Sequence, residues 1–141
     1  MTSPKTDETI LEKYREYKPL RFGDKFRIEK DVLILFNMEG AWKPHKGYFE
    51  NKDVSVWFPK RDHEKYCDYV SDDYAYILEQ FNHSEELAKH NYQNRAVFIR
   101  ENDMLFFRGV YRPDSLFQIN GNTYTLWRRT NHTVRSLLPD E

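Results

Sequence analysis

The sequence predicts an α+β domain: a curved, mainly antiparallel β-sheet or partial β-barrel with one to three short helices packed on it. Three observations lead there. Residues 95–130 alternate short runs of β-branched and aromatic residues with turn residues. Val32–Phe36 is a continuous apolar run, which suits a strand covered on both faces. Between these parts, Tyr74, Ile77, Leu78 and Phe81 recur at helical spacing. A chain of 141 residues is expected to form one domain over 1–141, with 1–6 and 136–141 as flexible tails.

Taken in order, Thr9-Ile-Leu-Glu12 has the spacing of a capping box and starts a short helix over 7–17, which Pro19 ends. Lys25–Glu29 alternates like a half-buried strand, and Val32–Phe36 is expected at the centre of the core. Residues 41–53 read as an irregular loop that nevertheless carries Trp42, Tyr48 and Phe49. Val54–Phe58 reads as a strand in which Trp57 faces away from Val54, Val56 and Phe58. Ser71-Asp72-Asp73 resembles a helix start, so a helix is expected to run on through Phe81, with a second short one from Ser84 to about His90.

Four antiparallel strands follow: Arg95–Arg100, Met104–Tyr111, Leu116–Ile119 and Asn122–Arg128. Turns are expected at Asn102-Asp103, Pro113-Asp114 and Asn120-Gly121, the last with the positive φ angles of a tight hairpin. Gly109 inside its strand marks a bulge or bend, or the close approach of another backbone or a ligand.

Charge is uneven along the chain. The formal net charge is −1, but residues 91–135 hold seven Arg, no Lys and three acids, which is +4. Residues 1–90 carry 15 basic and 18 acidic groups, which is −3, and 136–141 add −2. Arginine stacks and makes forked hydrogen bonds, so an all-arginine meander suits phosphate or base recognition; it also suits the solvated face of a sheet. Aromatics make up 16% of the chain, more than a small core absorbs, so some are expected to line a groove or interface.

One cysteine, Cys67, excludes an internal disulfide and a multi-cysteine zinc site. No apolar run approaches the roughly 20 residues that cross a bilayer, and the N-terminus lacks the apolar centre of a signal peptide. The expectation is a soluble cytoplasmic protein that has no membrane partner, metal or cofactor.

Catalytic signals are thin. Asp31 before an apolar run, followed by Glu50-Asn51-Lys52, has permissible spacing for a Mg²⁺-dependent nuclease, but Glu-x-Lys is common by chance. His63 and Cys67 could share a helix face, and His83 and His90 lie further on, but no second close ligand pair supports a zinc site. No glycine-rich loop cradles a phosphate. A non-enzymatic role is the expectation.

The runs Arg95–Arg100, Leu105–Tyr111 and Thr125–Arg128 resemble the end of small PUA-like β-barrel modules, some of which accompany bacterial restriction and defence enzymes. The resemblance covers about a quarter of the chain. It implies a nucleic-acid-binding module, DNA or RNA, that receives a flipped or modified base in an aromatic pocket. By order along the chain the pocket residues would be Trp42, Tyr48 and Trp57. Arg95, Arg100, Arg108, Arg112, Arg128 and Arg129 would then meet phosphates, with Trp127 of the last strand also a ligand-binding candidate. The surplus of Tyr, Trp and Arg equally fits a protein–protein module, an inhibitor or adaptor.

Overall fold

The computed structural model describes residues 19–44, 46–51, 54–60, 68–81 and 94–135. The expected helices over 7–17 and 84–90 lie outside the described residues, as do both tails, His45, Lys52, His63, Cys67, His83 and His90.

The arginine-rich meander is the backbone of the fold. Strand β7 (Arg95–Glu101) turns through Asn102 and Asp103, both at positive φ, into β8 (Met104–Ile119). Asn120-Gly121, also both at positive φ, returns the chain as β9 (Asn122–Asn131). The expected four strands are therefore three. Pro113-Asp114 makes no turn: β8 runs straight through it, and the register with β9 slips between Pro113 and Ser115. A bulge absorbs the proline, which cannot donate to a ladder.

Shorter strands extend this meander: β1 (Pro19–Arg21), β2 (Lys25–Phe26), β3 (Tyr48–Glu50), β4 (Ser55–Trp57), β5 (Tyr69–Val70), β6 (Tyr76–Phe81) and β10 (Thr133–Arg135). The main sheet has the order β3-β4-β7-β8-β9-β6-β5, with β2 also on β8 and β1 paired to β10 in a separate ribbon. Pairings are antiparallel except β4 with β7. The α+β expectation of a curved, mainly antiparallel sheet holds.

Four sequence expectations differ from the structure. Val32–Phe36 is no strand. Its first four residues lie in helix α1 (Glu29–Leu35), and Phe36 caps that helix. Periodicity cannot separate a short buried helix from a buried strand, and the acids Glu29 and Asp31 in its first turn suit a helix start. Asn37, at φ 58, ends it, with Asn37 N–H donating to Ile34 O (3.2 Å) and Met38 N–H to Leu33 O (2.8 Å). Conversely, the expected helix over 74–81 is strand β6, which pairs with β9 along its whole length. Its Tyr, Ile and Phe content fits a strand, and cross-strand pairing outweighs the helical spacing. Similarly, Lys25–Glu29 keeps only two strand residues before α1 begins, and the loop over 41–53 contains β3.

Gly109 sits at φ +117, where a β-carbon would lie 2.6 Å from both Asn131 O and Arg129 Cδ. The close approach is thus the backbone of β9. Opposite it the β7–β8 register shifts between Val97 and Phe98, which adds a bulge at Arg108 and bends the sheet.

The bend divides two cores. On the convex face, α1 residues Val32, Leu33 and Leu35 pack with Phe26, Phe49, Val56, Phe98, Leu105 and Phe107. On the concave face Trp57, Ile77, Val97, Ile99, Tyr111 and Trp127 form a second cluster. Alternation decides this division. Val56 and Phe58 join the first core and Trp57 the second, as the strand reading of Val54–Phe58 requires.

Candidate functional site

The concave face gathers aromatic rings around one guanidinium. Arg95, the first residue of β7, is 4% exposed. Its Cζ lies 4.0 Å from the Trp127 ring centroid, 4.3 Å from Tyr48 and 4.8 Å from Trp57. The two indoles are themselves in contact, 5.4 Å apart and tilted by 50°. Strands β3, β4, β7 and β9 each supply one member, and the sheet's curvature brings them together.

A charge buried this deeply needs a partner. Glu79 of β6 provides it, with Arg95 Nη1 3.1 Å from each carboxylate oxygen. Trp127 Nε1–H also donates to Glu79 Oε1, at 3.0 Å. The group is therefore a self-consistent unit whose polar atoms hold one another in place.

Around this unit stand further polar groups. Tyr48 Oη donates to Glu50 Oε2 (2.7 Å) and lies 3.0 Å from Ser55 Oγ. Burial, above all, lifts the Tyr48 phenol above its ordinary pKa, against the pull of the Ser55 bond. Asp68 is 7% exposed and exchanges bonds with Lys60: the Lys60 amide donates to Asp68 Oδ2 (2.8 Å), and the Asp68 amide to Lys60 O (2.9 Å). Burial pushes the Asp68 carboxyl up to about 7; the negative Glu79 adds to this, while the Lys60 amide and Arg95 oppose it. Thr125 pairs with Glu79 across β6 and β9 and is fully buried, with its Oγ1 unbonded among the described residues.

The opposite end of the concave face holds a second arginine. Arg108 Nη2 donates to Glu101 Oε1 at 2.6 Å, and its Cζ stacks 4.1 Å from Tyr74 and 4.9 Å from Phe22. Tyr74 Oη donates to Glu101 Oε2 (2.8 Å), and Tyr111 Oη donates to the Tyr74 carbonyl. Ile77, Val97, Ile99 and Tyr111 lie between the two ends.

The residues singled out from sequence thus separate. Tyr48, Trp57, Arg95 and Trp127 meet in one cluster. Trp42 packs against the convex core instead, with Lys30 Nζ 4.7 Å over its ring. Arg100 faces Glu29 (3.2 Å) and Arg108 faces Glu101, so these two do not sit together. Arg112 and Arg128 are register partners, and Arg128 lies 3.7 Å from Asp114.

Asp31 is buried on α1, while Glu50 bonds Tyr48. Among the described residues no group of His, Cys, Asp and Glu converges as a metal-ligand set. Glu79, Asp68 and Thr125 went unnoticed in the sequence. Glu79 carried a usable signal, an acid directly after the apolar run Tyr76-Ile77-Leu78. Asp68 and Thr125 carried none: nothing local marks Asp68 as buried, and Thr125 meets Glu79 only through the β6–β9 register.

Solved structures share this fold. AbaSI, a 5-hydroxymethylcytosine-specific restriction enzyme, aligns with 97% of this chain at TM-score 0.71 and 22% identity. The alignment takes in 48% of AbaSI, so the chain spans about half of that enzyme's length. The DNA modification-dependent restriction endonuclease AspBHI covers 84% of this chain and 79% of its own, at TM-score 0.56 and 10% identity. The SRA domain of SUVH5, solved with hemi-methylated CG DNA, covers 79% and 89%, at TM-score 0.52 and 17% identity. At 22% identity or less the likeness is one of fold, the curved, mainly antiparallel sheet that the strand pattern predicts. No family model matches the chain, and no curated protein matches it.

Proposed function

We propose that this chain is a DNA-recognition module that receives an extruded, modified base at the Arg95 cluster. The carrying observation is the convergence of Tyr48, Trp57 and Trp127 on the Arg95–Glu79 pair inside the curved sheet. A flipped base needs an aromatic surface to stack on and fixed polar groups to read its edge. The guanidinium already fills the space between the three rings, so the cluster acts as a floor rather than an empty slot. The partly exposed Tyr48 ring offers the stacking face, and Asp68 and Glu50 offer acceptors for an exocyclic amino group. AbaSI is specific for 5-hydroxymethylcytosine, AspBHI is DNA modification-dependent and the SUVH5 domain was solved with hemi-methylated CG DNA, which supports this choice of ligand.

Affinity rests on the pocket more than on charge. Arg95, Arg100 and Arg108 are each engaged with a glutamate. Arg112 is exposed and Arg128, 3.7 Å from Asp114, is partly exposed; both lie on the β8–β9 hairpin, which projects past the cluster because Leu116 is opposite Thr125 and the turn lies beyond. Two phosphate contacts from this pair give a slope of about −2 in log K against log salt, far shallower than for a basic groove.

The test is fluorescence-anisotropy titration of duplexes that differ in one cytosine modification, at low and moderate salt. The reading expects preference for a modified duplex, lost in Tyr48→Ala. Equal binding of all duplexes would refute it.

A further inference from the structure

We propose that Thr125 determines which modification the pocket accepts, by hydrogen-bonding a hydroxyl on the C5 substituent of the bound base; this rests on the base-receiving reading above. Thr125 is 0% exposed, and among the described residues its Oγ1 has no hydrogen-bond partner. Buried hydroxyls are almost always bonded, so an orphan beside a binding cluster points to a partner supplied from outside. The register sets its position. Thr125 lies directly opposite Glu79 and two residues from Trp127, on the face that both present to Arg95.

Depth and chemistry select the atom it reads. A base that enters with its sugar outward brings its C4 and C5 substituents deepest. The exocyclic amino group is a donor, and the Glu50 carboxylate and the carboxyl oxygens of Asp68 are its natural acceptors. A hydroxymethyl group needs both a donor and an acceptor. The Thr125 hydroxyl is both, and none of the described residues bonds it. A 5-methyl group would leave that hydroxyl unbonded, so the pocket discriminates against it.

The experiment compares wild type with Thr125→Val, an isosteric change, against duplexes carrying 5-hydroxymethylcytosine, 5-methylcytosine or cytosine. Thermal unfolding of the free protein is measured in parallel. Wild type prefers the hydroxymethyl duplex, and the valine variant loses about tenfold in affinity for it while binding the methyl duplex as before. The free variant melts at the same temperature or higher, because it no longer buries an unbonded hydroxyl. A purely structural threonine would lower the melting temperature and leave the preference intact, which would overturn the assignment. If wild type reads modification but the variant keeps the same ratio, Thr125 is excluded and the pocket stands. If wild type binds no duplex, both readings fall together.

Discussion

The guanidinium of Arg95 reaches the carboxylate of Glu79 at 3.1 Å, although their strands, β7 and β6, are separated in the sheet by β8 and β9. The contact spans the concave face rather than a strand pair, so it measures the curvature of the sheet directly. It also ties the candidate site to the fold, since Trp127 bonds the same carboxylate.

Breaking the pair therefore costs stability as well as function. Glu79→Ala leaves the Arg95 charge buried and unpaired, and is expected to lower unfolding free energy by about 3–5 kcal/mol. Replacing both partners, Arg95→Met with Glu79→Leu, is expected to recover most of that loss. Urea denaturation of the three variants checks this, and a double variant no better than the single one would contradict it.

Gly109 tests the bend. At φ +117 a β-carbon would collide with Asn131 O and Arg129 Cδ, both at 2.6 Å, and the first is backbone. Gly109→Ala is expected to cost several kcal/mol, about 3 or more, from strain and displacement of β9. Gly121→Ala is the control: it also has a positive φ, +82, but meets nothing within 4 Å, and about 1 kcal/mol is expected. Similar costs at the two sites would argue against the close approach.

Asp68 gives the fold a pH dependence. Its folded-state pKa is raised to about 7 from an ordinary 3.8, chiefly by burial. Below the ordinary value both states are protonated at this group, and its contribution is fully retained. As pH rises towards 7 the unfolded chain loses the proton while the folded chain keeps it, so stability falls across that window. Asp68→Asn is expected to flatten this decline between about pH 4 and 7, as read by thermal melts across pH. An unchanged slope would remove Asp68 as the source.

Tyr111 holds the far end of the concave face. Burial pushes its phenol up to about 12, and its hydroxyl donates to the carbonyl of Tyr74, which sits at φ 60. Tyr111→Phe leaves that carbonyl without its donor and is expected to cost about 1–2 kcal/mol, read by chemical denaturation. A neutral effect would mean that water replaces the hydroxyl.

What could be read in the sequence was local. Asn120-Gly121 and Asn102-Asp103 carry their turns in their own side chains, and the alternation of Val54–Phe58 separates Trp57 from its neighbours in the folded chain. Val32–Phe36 was ambiguous because burial on all sides erases periodicity. Tyr74–Phe81 misled because a strand that pairs along its whole length can carry helical spacing by accident. The Arg95–Glu79 pair, the Trp127–Glu79 bond and the Thr125–Glu79 pairing join residues from different strands. Only the register of the strands brings them together.

The central claim is that the Arg95 cluster receives a modified base. The most direct measurement is equilibrium binding of wild type and Tyr48→Ala to matched duplexes with one modified or one unmodified cytosine, at about 50 and 200 mM salt. The account predicts preference for the modified duplex, a shallow salt slope, and loss of that preference in the variant, whose cooperative melting shows that it is folded. Binding that ignores modification and falls steeply with salt would contradict it, and would assign the contact to surface charge instead.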